Sequence, residues 1–222
     1  MSAHSYSPLP ENRELLGELL HSVSQPLTTL RCSLELSLDE AADQQQHTIT
    51  TALEQTEDVI ALIRLMREYL DAEHGEAEGP AIALMPVLTS VSDDLSPWAA
   101  LREVRIRMMG TCSAELSIKA SGLRRALEYL LSAMIERQAA GSEITFRMSE
   151  NPSEALVRIE GERGLGNQPN SNRTRDSVGS TMRRVRLAIA ARVLESAGVT
   201  LACDDDVPGL VLRLPHVGGP SV

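Results

Sequence analysis

Two stretches of helical hydrophobic periodicity near the N-terminus, joined by a polar patch, most constrain what this chain can fold into. From Pro10 to about Leu38 the apolar residues recur as Leu15, Leu16, Leu19, Leu20, Val23, Leu27, Leu30, Leu34 and Leu38, the spacing that lines one side of an α-helix. Pro26 is the one breaker, and a helix carries it at the cost of a kink and one lost backbone hydrogen bond. Asp39 to His47 reads as a polar connection, after which Ile49, Leu53, Ile60, Ile63 and Leu70 mark one side of a second helix. Two amphipathic helices with a short link fold back as an antiparallel hairpin. Such a hairpin cannot enclose a core, so each apolar stripe stays half exposed. Pairing two hairpins into a four-helix bundle removes that exposure, which predicts a homodimer through residues 10–72; an intramolecular helical bundle is the other solution.

The pattern changes after Ala72–Pro80, a polar, acidic segment bounded by glycines that reads as a domain linker. Beyond it, Pro86–Leu101, Leu123–Arg137 and Arg183–Ala197 have helical spacing, the last closed by Gly198. Val104–Met108, Leu116–Lys119, Glu143–Ser149, Ala155–Glu160, Thr200–Cys203 and Leu210–Leu214 read as strands, with Asn151 and Pro152 as turn residues between the central pair. Asn167–Ser180, rich in Asn, Ser, Arg and Gly, reads as a long loop. This order predicts an α+β chain, with residues 81–217 forming a sandwich of helices on one face of a mixed sheet.

Charge and composition narrow the function classes. The 222-residue chain carries a formal charge of −10, which repels phosphate backbones and anionic lipid surfaces. Aromatic residues are only 2%, so base stacking has few platforms and the core must be aliphatic. No nucleic-acid or membrane partner is expected. No apolar run reaches the roughly 18 residues that suggest a membrane span, and the N-terminus has neither the basic region nor the apolar stretch of a signal peptide. Cys32, Cys112 and Cys203 lack metal-ligand spacing and read as reduced thiols. A cytoplasmic protein is the expectation.

On the first helix, His21-Ser22-Val23-Ser24-Gln25-Pro26-Leu27 resembles the phosphoacceptor box of bacterial histidine kinases, in which the phosphorylated His is followed five residues later by Pro and then Leu. The resemblance implies that His21 carries the phosphoryl group, a task that suits a neutral imidazole nitrogen near neutral pH. A plain surface histidine is the alternative. Where the family has Glu or Asp after the His, acting as a base in autophosphorylation, this chain has the uncharged Ser22. Gln25, one turn on, either positions a water for dephosphorylating a partner or is a solvated polar residue.

The elements after Pro80 resemble the ATP-binding domain of the same kinases. Its asparagine box falls on Leu127–Ala133, with Ser132 where an Asn would hold Mg²⁺ and Glu128 at the preceding asparagine. A Ser hydroxyl is a shorter-reaching ligand than an amide oxygen. Glu162-Arg163-Gly164-Leu165-Gly166 resembles the first glycine box, with Glu162 in place of the Asp that meets adenine and Gly164 and Gly166 allowing close backbone approach. An ordinary turn explains the same pair of glycines. The second glycine box falls on Met182–Ile189, where glycines are replaced by bulky residues including Arg183, Arg184 and Arg186. Those arginines suit an anion or an acidic partner surface; a solvated helix N-terminus is the bland reading.

The altered positions point to a phosphoryl carrier of the degenerate-kinase type. It would exchange phosphate between His21 and aspartates of response-regulator receiver domains, with no cofactor and without ATP-driven autophosphorylation. Two alternatives stand beside it. One is an active kinase with a divergent site for ATP and Mg²⁺; the other is a non-enzymatic pseudo-kinase that binds and inhibits two-component partners.

Overall fold

The computed structural model describes residues 12–37, 42–73, 79–151, 154–162, 177–203 and 209–215. The chain divides into two compact units. One comprises Pro10–Asp71 together with Asn170–Val185; the other contains Ala72–Pro169 and Arg186–Val222.

The first unit is a helical hairpin, α1 (Asn12–Ser37) and α2 (Ala42–Glu73). The first turns of a later helix, α5 (Ser177–Ser196), belong to it as far as Val185. The expected connection over Asp39–His47 is shorter than the sequence suggested, because helix resumes at Ala42. Gln44, Gln45 and Gln46 are good helix formers whose side chains need no burial. Likewise α2 continues to Glu73, two residues into the expected linker.

Each helix of the hairpin has an inner and an outer apolar side. Leu19, Ala52, Val59, Leu62, Leu65 and Tyr69 are buried. Leu20, Leu27 and Leu34, spaced seven apart, are exposed, as are Ile49, Leu53, Ile60, Ile63 and Leu70. The α2 residues that mark the helix in the sequence are thus its outward side, with Leu53 61% exposed, and the inner side is a second row beside them. An apolar stripe at heptad-like spacing is what a coiled-coil partner would cover.

The second unit is an α+β sandwich. Five strands, β2 (Arg105–Met109), β4 (Glu143–Glu150), β5 (Glu154–Glu160), β6 (Thr200–Cys203) and β7 (Gly209–Pro215), form a mixed sheet in the order β2-β4-β5-β7-β6. The β2–β4 pair is parallel and the rest are antiparallel. Two short strands, β1 (Ala81–Ala83) and β3 (Glu115–Ser117), pair separately; β1 is too short to leave a periodic signal in the sequence.

Alternation along the sheet turns Ile144, Phe146, Met148, Ala155, Val157, Ile159, Leu210, Leu212 and Leu214 inward. Against them pack α3 (Leu84–Leu101), α4 (Ala120–Arg137) and the C-terminal part of α5, through Leu88, Val91, Leu127, Leu130, Leu131, Met134, Ala190 and Leu194. The core is aliphatic apart from Phe146, with Trp98 and Tyr129 packed at its margin.

Two glycines are required by geometry. Gly198 closes α5 with φ +76°, and the Val199 amide donates back to Leu194 at 3.0 Å, the left-handed cap that a side chain would strain. Gly209 opens β7 where a Cβ would lie 2.4 Å from the Ile159 carbonyl oxygen.

Candidate functional site

The site residues of α1 are sorted by helical geometry. Leu19, Ser22 and Pro26 are buried, at the three- and four-residue spacing of one helix face. His21, Ser24 and Gln25 lie outside that face and are exposed. Pro26 sits within the helix and offers no N–H to the carbonyl of Ser22. Around it, hydroxyls bond back along the helix: Ser24 donates to the Leu20 carbonyl at 2.7 Å, Thr28 to Ser24 at 2.8 Å and Thr29 to Gln25 at 3.1 Å.

Ser22, which stands where the kinase family has an acid, is committed elsewhere. It is 3% exposed, and its hydroxyl donates to the Thr181 hydroxyl at 3.0 Å. One turn earlier, Glu18 forms an ion pair with Arg184. Thr181 and Arg184 are neighbours on the first turns of α5, and Val185, four residues after Thr181, is fully buried. Contacts at positions 18 and 22 therefore hold this stretch of α5 against the turn of α1 from which His21 projects. Neither Glu18, Thr181 nor Arg184 in this role was legible from the sequence. The Glu18–Ser22 and Thr181–Arg184 spacings are the signal that would have revealed it, had 177–184 read as helix.

The residues that the sequence suggested for a nucleotide site belong to the other unit's span. Ser132 is half-buried on α4. Glu128, one turn before it, is paired with Arg124 at 2.9 Å. The same guanidinium bonds Ser90 at 3.0 Å and pairs with Asp94; the carboxylates, the Asp94 hydrogen bond foremost and then Glu128, raise its pKa. Glu162 is exposed in a bend beyond β5. Gly164 and Gly166 lie outside the described residues, as does most of the expected loop over Asn167–Ser180, although its last four residues are already in α5.

Met182–Ile189, read from the sequence as the counterpart of the second glycine box, lies wholly inside α5. Amides within a helix donate to carbonyls four residues back and cannot also cradle a phosphate. Two of its arginines are engaged within the chain. Arg184 pairs with Glu18, while Arg186 lies 3.8 Å from Glu136 and 6.0 Å from the centre of the Tyr129 ring.

The chain matches no protein-family model, and no curated protein matches it. Solved structures do. The histidine kinase AdeS of Acinetobacter baumannii superposes with a TM-score of 0.64 at 14% identity, over 89% of this chain and 98% of that one. Full-length ShkA, solved in complex with AMPPNP, gives 0.55 at 12% identity, over 94% of this chain and 47% of that one. At such identities the likeness is one of fold. That fold is a helical hairpin followed by an α/β sandwich of the histidine-kinase ATPase type, as the resemblance of the His21 box implied. Among the described residues no helix is long and apolar enough to cross a membrane.

The Ser22–Thr181 bond yields a stability prediction. A double-mutant cycle with Ser22→Ala and Thr181→Ala, followed by urea unfolding with far-ultraviolet circular dichroism, should give a coupling energy of about 1 kcal/mol. Strictly additive effects would mean that the two hydroxyls do not bond in solution.

Proposed function

We propose that the chain is a two-component signalling protein that carries a phosphoryl group on His21 and exchanges it with an aspartate of response-regulator receiver domains, without charging itself from ATP. In the forward step the P–O bond of an aspartyl phosphate breaks and a P–N bond to the His21 imidazole forms. The carboxylate is restored and the imidazole proton passes to solvent. The exposed position of His21 suits an in-line approach by an outside donor. Gln25, one turn along, would position a water for dephosphorylating the partner, where the P–O bond of the aspartyl phosphate breaks and the phosphoryl group leaves as inorganic phosphate.

The observation that carries the absence of self-charging is the helical state of Met182–Ile189. Donors that a nucleotide triphosphate would need are spent on the backbone there. Ser22 adds to this, since a buried hydroxyl bonded to Thr181 supplies no base beside the imidazole. Ser132, Glu162, Gly164 and Gly166 would be remnants of a nucleotide site, and residues 81–217 would serve as a docking wall for the receiver. The rival reading is a divergent kinase using ATP and Mg²⁺, favoured by the fold likeness to ShkA, which was solved with AMPPNP.

Calorimetry with Mg²⁺-ATP, together with radiolabelled ATP in the same preparation, separates the two. The proposal expects no micromolar binding and no acid-labile label. Label on His21, lost in His21→Ala, would make this a kinase.

The hairpin, residues 10–72, would act as a homodimer closed by the exposed stripe of Leu20, Leu27, Leu34, Leu53, Ile60 and Ile63. Sedimentation analysis should show a two-chain species, converted to monomer by the double change Leu53→Glu and Ile60→Glu. A wild-type chain that sediments as a monomer at tens of micromolar would contradict the dimer.

A further inference from the structure

Glu18 and His21 are three residues apart on α1, which brings their side chains side by side on the helix surface, with Cβ atoms roughly 5–6 Å apart. A carboxylate in that position would repel a phosphoryl group arriving at the imidazole, because both are anionic. The structure sets an arginine against it. One nitrogen of Arg184, Nη1, meets both oxygens of Glu18. The other N–H groups of the guanidinium make no bond to the described residues, and the side chain is 43% exposed. Meanwhile the Ser22–Thr181 bond pins the same stretch of α5 to the residue next to His21.

From this arrangement we infer that Arg184 is a phosphoryl-binding residue for His21, held ready by Glu18 and turned toward the phosphoryl oxygens as the imidazole is charged. The inference rests on His21 as the phosphoacceptor. A guanidinium presents its N–H groups as a planar fork suited to bidentate contact with phosphate oxygens, and charge-assisted bonds of this kind are among the strongest available on a surface. Phosphorylated histidine offers negative charge and three acceptor oxygens one helical turn from the carboxylate that Arg184 already holds. Glu18 is then a competitor for the arginine as well as its anchor. The arginine at position 184 thereby acquires a use: it serves the histidine rather than a nucleotide.

The test exploits the fact that Glu18→Gln and Arg184→Ala break the same ion pair. If the pair is only structural, both changes shift the behaviour of His21 in the same direction. If Arg184 binds the phosphoryl group, they act oppositely, because Glu18→Gln releases the arginine and removes the repelling charge, whereas Arg184→Ala leaves the carboxylate unneutralised. Potassium phosphoramidate charges histidine without any partner protein: its P–N bond breaks, a P–N bond to the imidazole forms, and ammonia leaves with the imidazole proton as ammonium. The full chain and its variants would be treated with this reagent and the rate of appearance of the His21 signal followed by phosphorus NMR, the signal being assigned by its loss in His21→Ala.

Relative to wild type, Glu18→Gln should charge faster and Arg184→Ala slower, each by about threefold to tenfold. Arg184→Lys, which keeps the charge without the fork, should fall between wild type and Arg184→Ala and guards against a folding defect in the alanine variant. Equal rates, or shifts of the same sign in Glu18→Gln and Arg184→Ala, overturn the role of Arg184 while leaving His21 as acceptor. Failure of His21 to react in any variant while other histidines are charged overturns both.

Discussion

The burial of the α1 face that carries Leu19, Ser22 and Pro26 decides where His21 points, and most of the site follows from it. Residues one position away around a helix are turned by about 100°, so anchoring Ser22 inside places His21 outside. The anchor is partly apolar, through Leu19, and partly a buried pair of hydroxyls, Ser22 with Thr181, which satisfies polar groups that would otherwise be costly to enclose. The Ser22 hydroxyl thus joins two helices.

The same contact accounts for the state of the residues aligned with the second glycine box. A flexible, glycine-bearing segment can wrap a phosphate with its amides, and the interior of a helix cannot. Here α5 starts at Ser177 and is grouped with the hairpin up to Val185. Thr181 and Val185 are buried and Arg184 is paired with Glu18, so tertiary contacts support the first turns of a helix whose own sequence favours it weakly. On the proposed reading, the features that remove a nucleotide from the protein are the ones that furnish the histidine with its surroundings.

Much of the architecture was legible in the sequence because it rests on periodicity. The hairpin, α4 and the strands β4, β5 and β7 each repeat an apolar spacing over enough residues to declare themselves. The starts of α2 and α5 were not legible. Gln44–Gln46 are polar and resemble a loop in composition, while Ser177, Gly179 and Ser180 have low intrinsic helix propensity. What holds the start of α5 in a helix is contact with residues far away in the chain. The partner of Ser22 is 159 positions distant and that of Arg184 is 166, so no local pattern announces either pair. His21 and Pro26 could be read because their spacing lies within one helix. The role of Ser22 could not, since a lone Ser gives no sign of being buried until its partner is known.

The most direct test of the account is phosphate transfer itself. A receiver domain phosphorylated with radiolabel on its aspartate would be mixed with the purified chain and with His21→Ala, and the products separated and exposed to acid. The account predicts rapid loss of label from the receiver and an acid-labile label on the wild-type chain, with none on His21→Ala. Label that persists on His21→Ala, or a wild-type chain that stays unlabelled across a panel of receivers, would contradict it.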